Sequence, residues 1–199
     1  MKQGRIIIIS GPSGVGKGTV VKRIMAENSN LCFSVSATTR AMRPGEADGI
    51  NYYFISREQF EDMIQKGEFL EYACYTGNYY GTPEFAVNAA LAQGRSVVLE
   101  IDVQGALQVM QRRADAVSIF IAPPSYEELR RRLVGRGDTD PHNMEQRLQE
   151  AHNECARAKE YDYTVINDSL EDAIHKVQSI LTAENCRSLY TNIPIKEEN

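Results

Sequence analysis

The feature that most constrains this chain is a junction, at which an aliphatic run, Ile6 to Ile9, passes into Gly11-Pro12-Ser13-Gly14-Val15-Gly16-Lys17-Gly18-Thr19. Spaced glycines let a backbone curl until successive N–H groups point inward at phosphate oxygens, and a helix starting there adds partial positive charge. Lys17 is spaced to reach the outer phosphates of a nucleotide, and Val20 to Glu27 can continue as the helix. The context of strand, loop and helix says more than the string alone.

One position departs from the usual pattern. Ser or Thr ordinarily follows the lysine and ligates Mg²⁺, whereas here Gly18 stands there and Thr19 comes one step later. Mg²⁺ is then expected to rest on phosphate oxygens, water and nearby carboxylates. Glu100 and Asp102, at the end of the apolar run Ser96–Ile101, are the nearest by topology, since ligands gather at the carboxyl ends of parallel strands. The competing role for either is to cap a helix or pair with an arginine.

Further apolar runs at Val117–Ala122 and Tyr163–Ile166, separated by helix-length stretches, read as an α/β fold with a parallel core sheet flanked by helices. Between the first two runs lie about 85 residues, too many for one crossover helix, with a texture rich in Tyr, Gly and Thr. This predicts a small mixed insert. Ser56 before Gln59 and Ser125 before Glu128 fit capping boxes, and Thr82 before Pro83 fits a helix start. Helices are expected near 57–66, 83–93, 104–113, 126–134, 144–158 and 170–184, with a core of 1–36, 91–125 and 158–199, an insert at 37–90 and a lid at 126–157.

Composition excludes several classes. With 42% hydrophobic and 25% charged residues, the 199-residue chain can fill one core. A net charge of −5 argues against nucleic-acid binding by bulk charge. No apolar run approaches membrane-spanning length, no secretory signal precedes the first strand, and Cys32, Cys74, Cys155 and Cys186 form no Cys-x-x-Cys pair. The expectation is a cytoplasmic protein with free thiols and no membrane or nucleic-acid partner. Self-association into a homo-oligomer is left open.

Within the insert, Thr38-Thr39-Arg40 is followed by Arg43, Glu46, Gly49, Tyr52 and Phe54. Two arginines beside hydroxyls suit a doubly charged phosphate, because the guanidinium fork makes paired, charge-assisted hydrogen bonds. A solvent-facing loop is the alternative on local sequence alone. Six of the ten tyrosines fall between positions 52 and 80, and Tyr52 and Tyr80 are the ones expected at a ligand.

This run resembles the signature segment of guanylate kinases. With the glycine loop, Gly77-Asn-Tyr-Tyr-Gly-Thr82, Glu100-Ile-Asp-Val-Gln-Gly105 and Ile121-Ala-Pro-Pro-Ser125, the resemblance covers nearly the whole chain. It implies a P-loop nucleoside monophosphate kinase fold, with ATP as co-substrate, Mg²⁺, and GMP, with dGMP beside it, as acceptor of a directly transferred phosphoryl group. By position, it implies Ser36, Arg40, Arg43, Tyr52, Tyr80 and Thr82 around the acceptor phosphate. Glu71 would read the guanine N1–H and amino group, assisted by Asp102, since an ionised carboxylate only accepts.

Arg130-Arg-Arg-Leu-Val-Gly-Arg136-Gly, with Arg147 beyond, is a charge run of the kind that is usually a solvated face. Phosphoryl transfer, however, needs cations around the migrating group. The resemblance implies that Arg136 and Arg147 close on the triphosphate, with Arg43 bridging and Lys17 completing the catalytic set. Asn167 and Asp168 match the adenine-side segment. A phosphopeptide-binding scaffold domain and a kinase of a phosphorylated sugar are the rival readings. The complete loop argues against the first, and Glu71 against the second.

Overall fold

The computed structural model describes residues 4–135 and 141–188, and for 135 and 141–143 the backbone alone. In chain order the elements are β1 (Ile6–Ser10), α1 (Lys17–Glu27), β2 (Leu31–Phe33), β3 (Ala37–Thr38), β4 (Tyr53–Phe54), α2 (Arg57–Gln65), β5 (Phe69–Tyr75), β6 (Asn78–Pro83), α3 (Glu84–Ala92), β7 (Ser96–Glu100), α4 (Val103–Arg112), β8 (Val117–Ala122), α5 (Tyr126–Gly135), α6 (Pro141–Ala156), β9 (Tyr163–Ile166) and α7 (Leu170–Asn185). The expected α/β architecture is present. Five strands pair in the order β2-β7-β1-β8-β9, all parallel.

Alternation along β1 explains the two covered faces. Ile7 and Ile9 pack with Val20, Val21 and Ile24 of α1 and with Ala173, Ile174 and Val177 of α7. Ile6 and Ile8 turn the other way, onto Val87 of α3 and Val103, Ala106 and Val109 of α4. A parallel sheet buried on both sides reads as a continuous aliphatic run, as Ile6–Ile9 does. The edge strand β2 was not among the expected runs, because three residues with Phe33 exposed carry too little pattern to mark a strand.

Four short strands form a second sheet, in the order β4-β3-β6-β5, with β3 and β4 parallel and the other pairs antiparallel. Its own core stacks Phe60 of α2 on Phe69, with centroids 4.2 Å apart, and on Tyr79. A register shift interrupts β5 between Phe69 and Glu71. Phe69 and Tyr72, three apart, therefore pack on the same cluster, which regular alternation forbids. Helices α5 and α6 share a separate cluster of Leu129, Leu133, Leu148 and Ala151.

Capping went partly as expected. Ser56 and Gln59 exchange both bonds of a capping box. Ser125 accepts from the Glu128 N–H at 3.1 Å, but the Glu128 carboxylate is engaged by arginines instead of returning to the cap. Thr82 is not the cap of α3. It ends in β6, Pro83 takes the cap position with no side-chain bond, and the helix begins at Glu84. The four cysteines are all free thiols. Among the described residues, no helix is long and apolar enough to cross a membrane.

Candidate functional site

Chain order places the site. β1 lies between β7 and β8, so the turns leaving β1 and β7 border one crevice at the carboxyl ends of the parallel strands. The turn after β1 is the glycine loop. Gly11 approaches the Ile121 carbonyl so closely that a Cβ would lie 2.1 Å from its oxygen. Gly16, at φ 96°, precedes α1 in left-handed conformation with the Asn167 amide against it. Asn167 is buried beyond β9 and donates from Nδ2 to the Val15 carbonyl at 2.8 Å. Its place is thus a brace under the loop, with Asp168 exposed beside it. Lys17 spans the loop, donating from Nζ to the Gly11 and Pro12 carbonyls at 2.5 and 3.0 Å.

The turn after β7 touches both halves of the crevice. Glu100 presents Oε1 3.2 Å from where a Gly18 Cβ would stand, so its carboxylate lies against the position that lacks the customary hydroxyl. Two residues on, Asp102 caps α4, its Oδ1 accepting the Gly105 N–H at 2.7 Å. The capping alternative raised for these carboxylates is therefore realised at Asp102.

Across from Asp102 sits Glu71, 8% exposed, with Oε1 accepting the Thr82 hydroxyl at 2.5 Å. Burial pushes the Glu71 carboxyl above its ordinary range; the Thr82 hydroxyl opposes this and the Asp102 charge adds to it. Thr82, expected with the acceptor phosphate, has its hydroxyl on the Glu71 carboxylate. In the loop before β4, Arg40 forms a paired salt bridge to Glu46 through Nη1 and Nη2, at 3.1 and 2.8 Å, and lies over the Tyr52 and Phe54 rings. The Glu46 hydrogen bonds raise the Arg40 pKa, and Arg40 in turn lowers that of Glu46. Tyr52 and Tyr80 meet edge to face at 6.1 Å. Ser36 is half-buried before β3, and Arg43 is exposed, its backbone N–H on Glu46 at 2.8 Å.

From α6, Arg147 reaches the Ser13 hydroxyl at 3.3 Å, while Leu133 of α5 packs against Gly14. Of the three consecutive arginines, Arg132 is the one that turns to the loop, donating from Nη1 to the Val15 carbonyl at 3.3 Å. Arg131 and Arg132 both grip Glu128, which their hydrogen bonds push down to about 2. Glu128 pairs with Arg131 and Arg132 alike, so charge spacing along the helix does not separate the two; the contact with the loop does. Arg136 lies outside the described residues.

A parallel sheet with a glycine loop between its first strand and helix, a lysine across that loop and arginines above it defines a P-loop protein of kinase architecture. The guanylate kinase family model matches residues 3–184. Curated guanylate kinases from Clostridium perfringens and Lactococcus lactis are 48% and 52% identical over 185 and 186 residues, covering 93% and 94% of this chain and 86% and 91% of theirs. A crystal structure of guanylate kinase from Anaplasma phagocytophilum superposes with TM-score 0.71 at 37% identity, covering 96% of this chain and 90% of that one. This chain belongs to the guanylate kinase family.

Proposed function

We propose that the protein transfers the γ-phosphoryl group of ATP to GMP, giving ADP and GDP, with the 37–90 insert holding the acceptor and the 126–157 lid closing over the donor. The observation that carries this is the β7–α4 turn, whose Glu100 meets the glycine loop while its Asp102 meets the buried Glu71. One short turn thereby borders both a triphosphate cradle and a carboxylate suited to guanine.

Guanine presents adjacent N1–H and N2–H₂ donors, and ionised Glu71 can accept both, whereas adenine offers an acceptor at N1. Arg40, Arg43, Ser36, Tyr52 and Tyr80 would fix the acceptor phosphate. An acceptor oxygen then attacks the γ-phosphorus as the bond to the β,γ-bridging oxygen breaks, and ADP leaves. Lys17 and the arginines at 132, 136, 147 and 43 would offset the charge spread over the migrating group. Closure of the lid excludes water that would otherwise take the phosphoryl group. Asn167 would act by bracing the loop beside the adenine side.

Among the described residues, no cluster of three acidic, His or Cys side chains could hold a metal ion alone. The two carboxylates at the end of β7, Glu100 and Asp102, fit Mg²⁺, which keeps several waters and binds chiefly through phosphates. Glu100 and Asp102 would face its water shell, and the ion would neutralise phosphate charge.

A coupled ADP-release assay with ATP and Mg²⁺ tests the proposal, comparing GMP, dGMP, AMP, dTMP and a ribose bisphosphate. GMP is expected to give the highest kcat/KM, with dGMP, identical in base and phosphate, as a second acceptor. Release of ADP that no acceptor stimulates, or a preference for AMP, would defeat it.

A further inference from the structure

The base-side carboxylate does not stand alone. Helix α4 presents Asp102, Gly105 and Gln108 at steps of three residues, which places them on one face, and that face meets β5 at Glu71 and Tyr72. Gln108 bonds both polar groups of the Tyr72 backbone. Its Oε1 accepts the Tyr72 N–H and its Nε2 donates to the Tyr72 carbonyl, each at 3.3 Å. A side-chain amide thus occupies the free edge of β5, where a neighbouring strand would otherwise pair. The residue it holds is the one immediately after Glu71, gripped through the peptide groups on both sides of its Cα, just beyond the register shift that re-aims this strand. Gly105 completes the fit: a Cβ there would lie 3.1 Å from Glu71 Oε2 and 3.4 Å from Asp102 Oδ1, so absence of a side chain makes room for the carboxylate.

We propose that Gln108 is a positioning residue for acceptor selection: by clamping the Tyr72 backbone it sets where the Glu71 carboxylate stands, in the space left by Gly105. The proposal rests on the reading of Glu71 as the guanine acceptor and extends it to the residues that aim it. A bulged edge strand has no partner on its outer side to fix its register, and sub-ångström placement decides whether two guanine donors reach one carboxylate together. Core helix and insert strand are joined here by the Gln108 amide beside an apolar cluster of Leu70 with Val103, Ala106 and Val109; the packing holds the two elements together, and the amide's two directional bonds fix the backbone next to Glu71.

The test compares Gln108→Met, Gly105→Ala and Glu71→Gln, alone and with Gln108→Met combined with Glu71→Gln, by steady-state kinetics with GMP and with IMP. IMP keeps N1–H and lacks the 2-amino group, so it depends less on the carboxylate. Gln108→Met is expected to lower kcat/KM for GMP roughly tenfold through KM, to lower that for IMP much less, and to leave KM for ATP unchanged. Gly105→Ala should reproduce the loss of GMP preference without removing any hydrogen bond. In the Glu71→Gln background Gln108→Met should add less than about twofold, because the two act as one unit. Equal losses for GMP and IMP, or full additivity of the double variant, would overturn the role of Gln108 while leaving Glu71 standing. An unchanged preference for GMP over IMP in Glu71→Gln itself would instead remove the base reading, and this inference with it.

Discussion

At the scale of single residues, Glu71 meets opposing demands. The proposed reading of guanine requires its ionised form, yet burial, with Asp102 nearby, holds its pKa above the ordinary range. A carboxyl whose folded pKa is raised contributes stability while it is protonated at low pH, and that contribution is lost as pH rises through the folded value. Glu71→Gln should therefore raise the Tm of the nucleotide-free protein at neutral pH, and the gain should shrink toward zero on acidification. In the wild type, KM for GMP should rise as pH falls through the same range, with KM for ATP following a different profile. Thermal shift and kinetics across pH 4 to 8 measure both, and a Tm difference independent of pH would disprove the buried charge as its source. Arg40 illustrates the converse: its charge is already held by Glu46 and two rings, so an acceptor phosphate bound there as proposed would join or displace an existing pair.

Among the elements, α2 and α5 announced themselves through their serine caps, and β1, β7 and β8 through buried apolar runs. α2 illustrates how a local signal supports a distant site. Its capping box sets the start of a short helix whose Phe60 is the centre of the aromatic stack under β5 and β6. Ser56→Ala removes the acceptor for the Gln59 N–H and should cost about 1 kcal/mol, read as a lower midpoint in urea without a change in m-value. No loss of stability would mean that water replaces the cap freely. The start of α3 lies beyond Thr82 for a physical reason: that residue is still paired in β6 opposite Glu71, with its hydroxyl donated to the buried carboxylate, so the helix begins only after Pro83.

For the whole molecule, the two ends of the parallel sheet have separate tasks. The carboxyl ends carry the crevice, while at the amino end Arg5, 8% exposed, donates to Glu184 of α7 at 3.2 Å. Tyr163 adds a hydroxyl bond to the same carboxylate at 2.6 Å, which ties the final helix to β1 and β9. Removing one partner of such a pair leaves a buried charge poorly matched. Arg5→Met should cost about 3 kcal/mol of stability with KM for both nucleotides unchanged, measured by denaturation beside the ADP-release assay. A kinetic effect equal to the stability effect would mean that the two ends are not independent.

The sequence by itself determined the loop, the parallel core and the family. Glycines, a lysine and aliphatic runs act through local backbone geometry and burial, which short spacings encode. Four of the five core strands and the helices α1 to α7 were legible on that basis. What only the tertiary structure decided were pairings between residues far apart in the chain. Asn167 beneath Val15, Glu100 against Gly18, Thr82 on Glu71 and Gln108 on the Tyr72 backbone each join separate elements. The choice of Arg132 over its two neighbours likewise depended on how α5 is turned, which its hydrophobic contacts with α6 set. Local chemistry names the candidates at each position; packing selects which of them meet, because hydrogen bonds act over about 3 Å and only the folded chain fixes such distances.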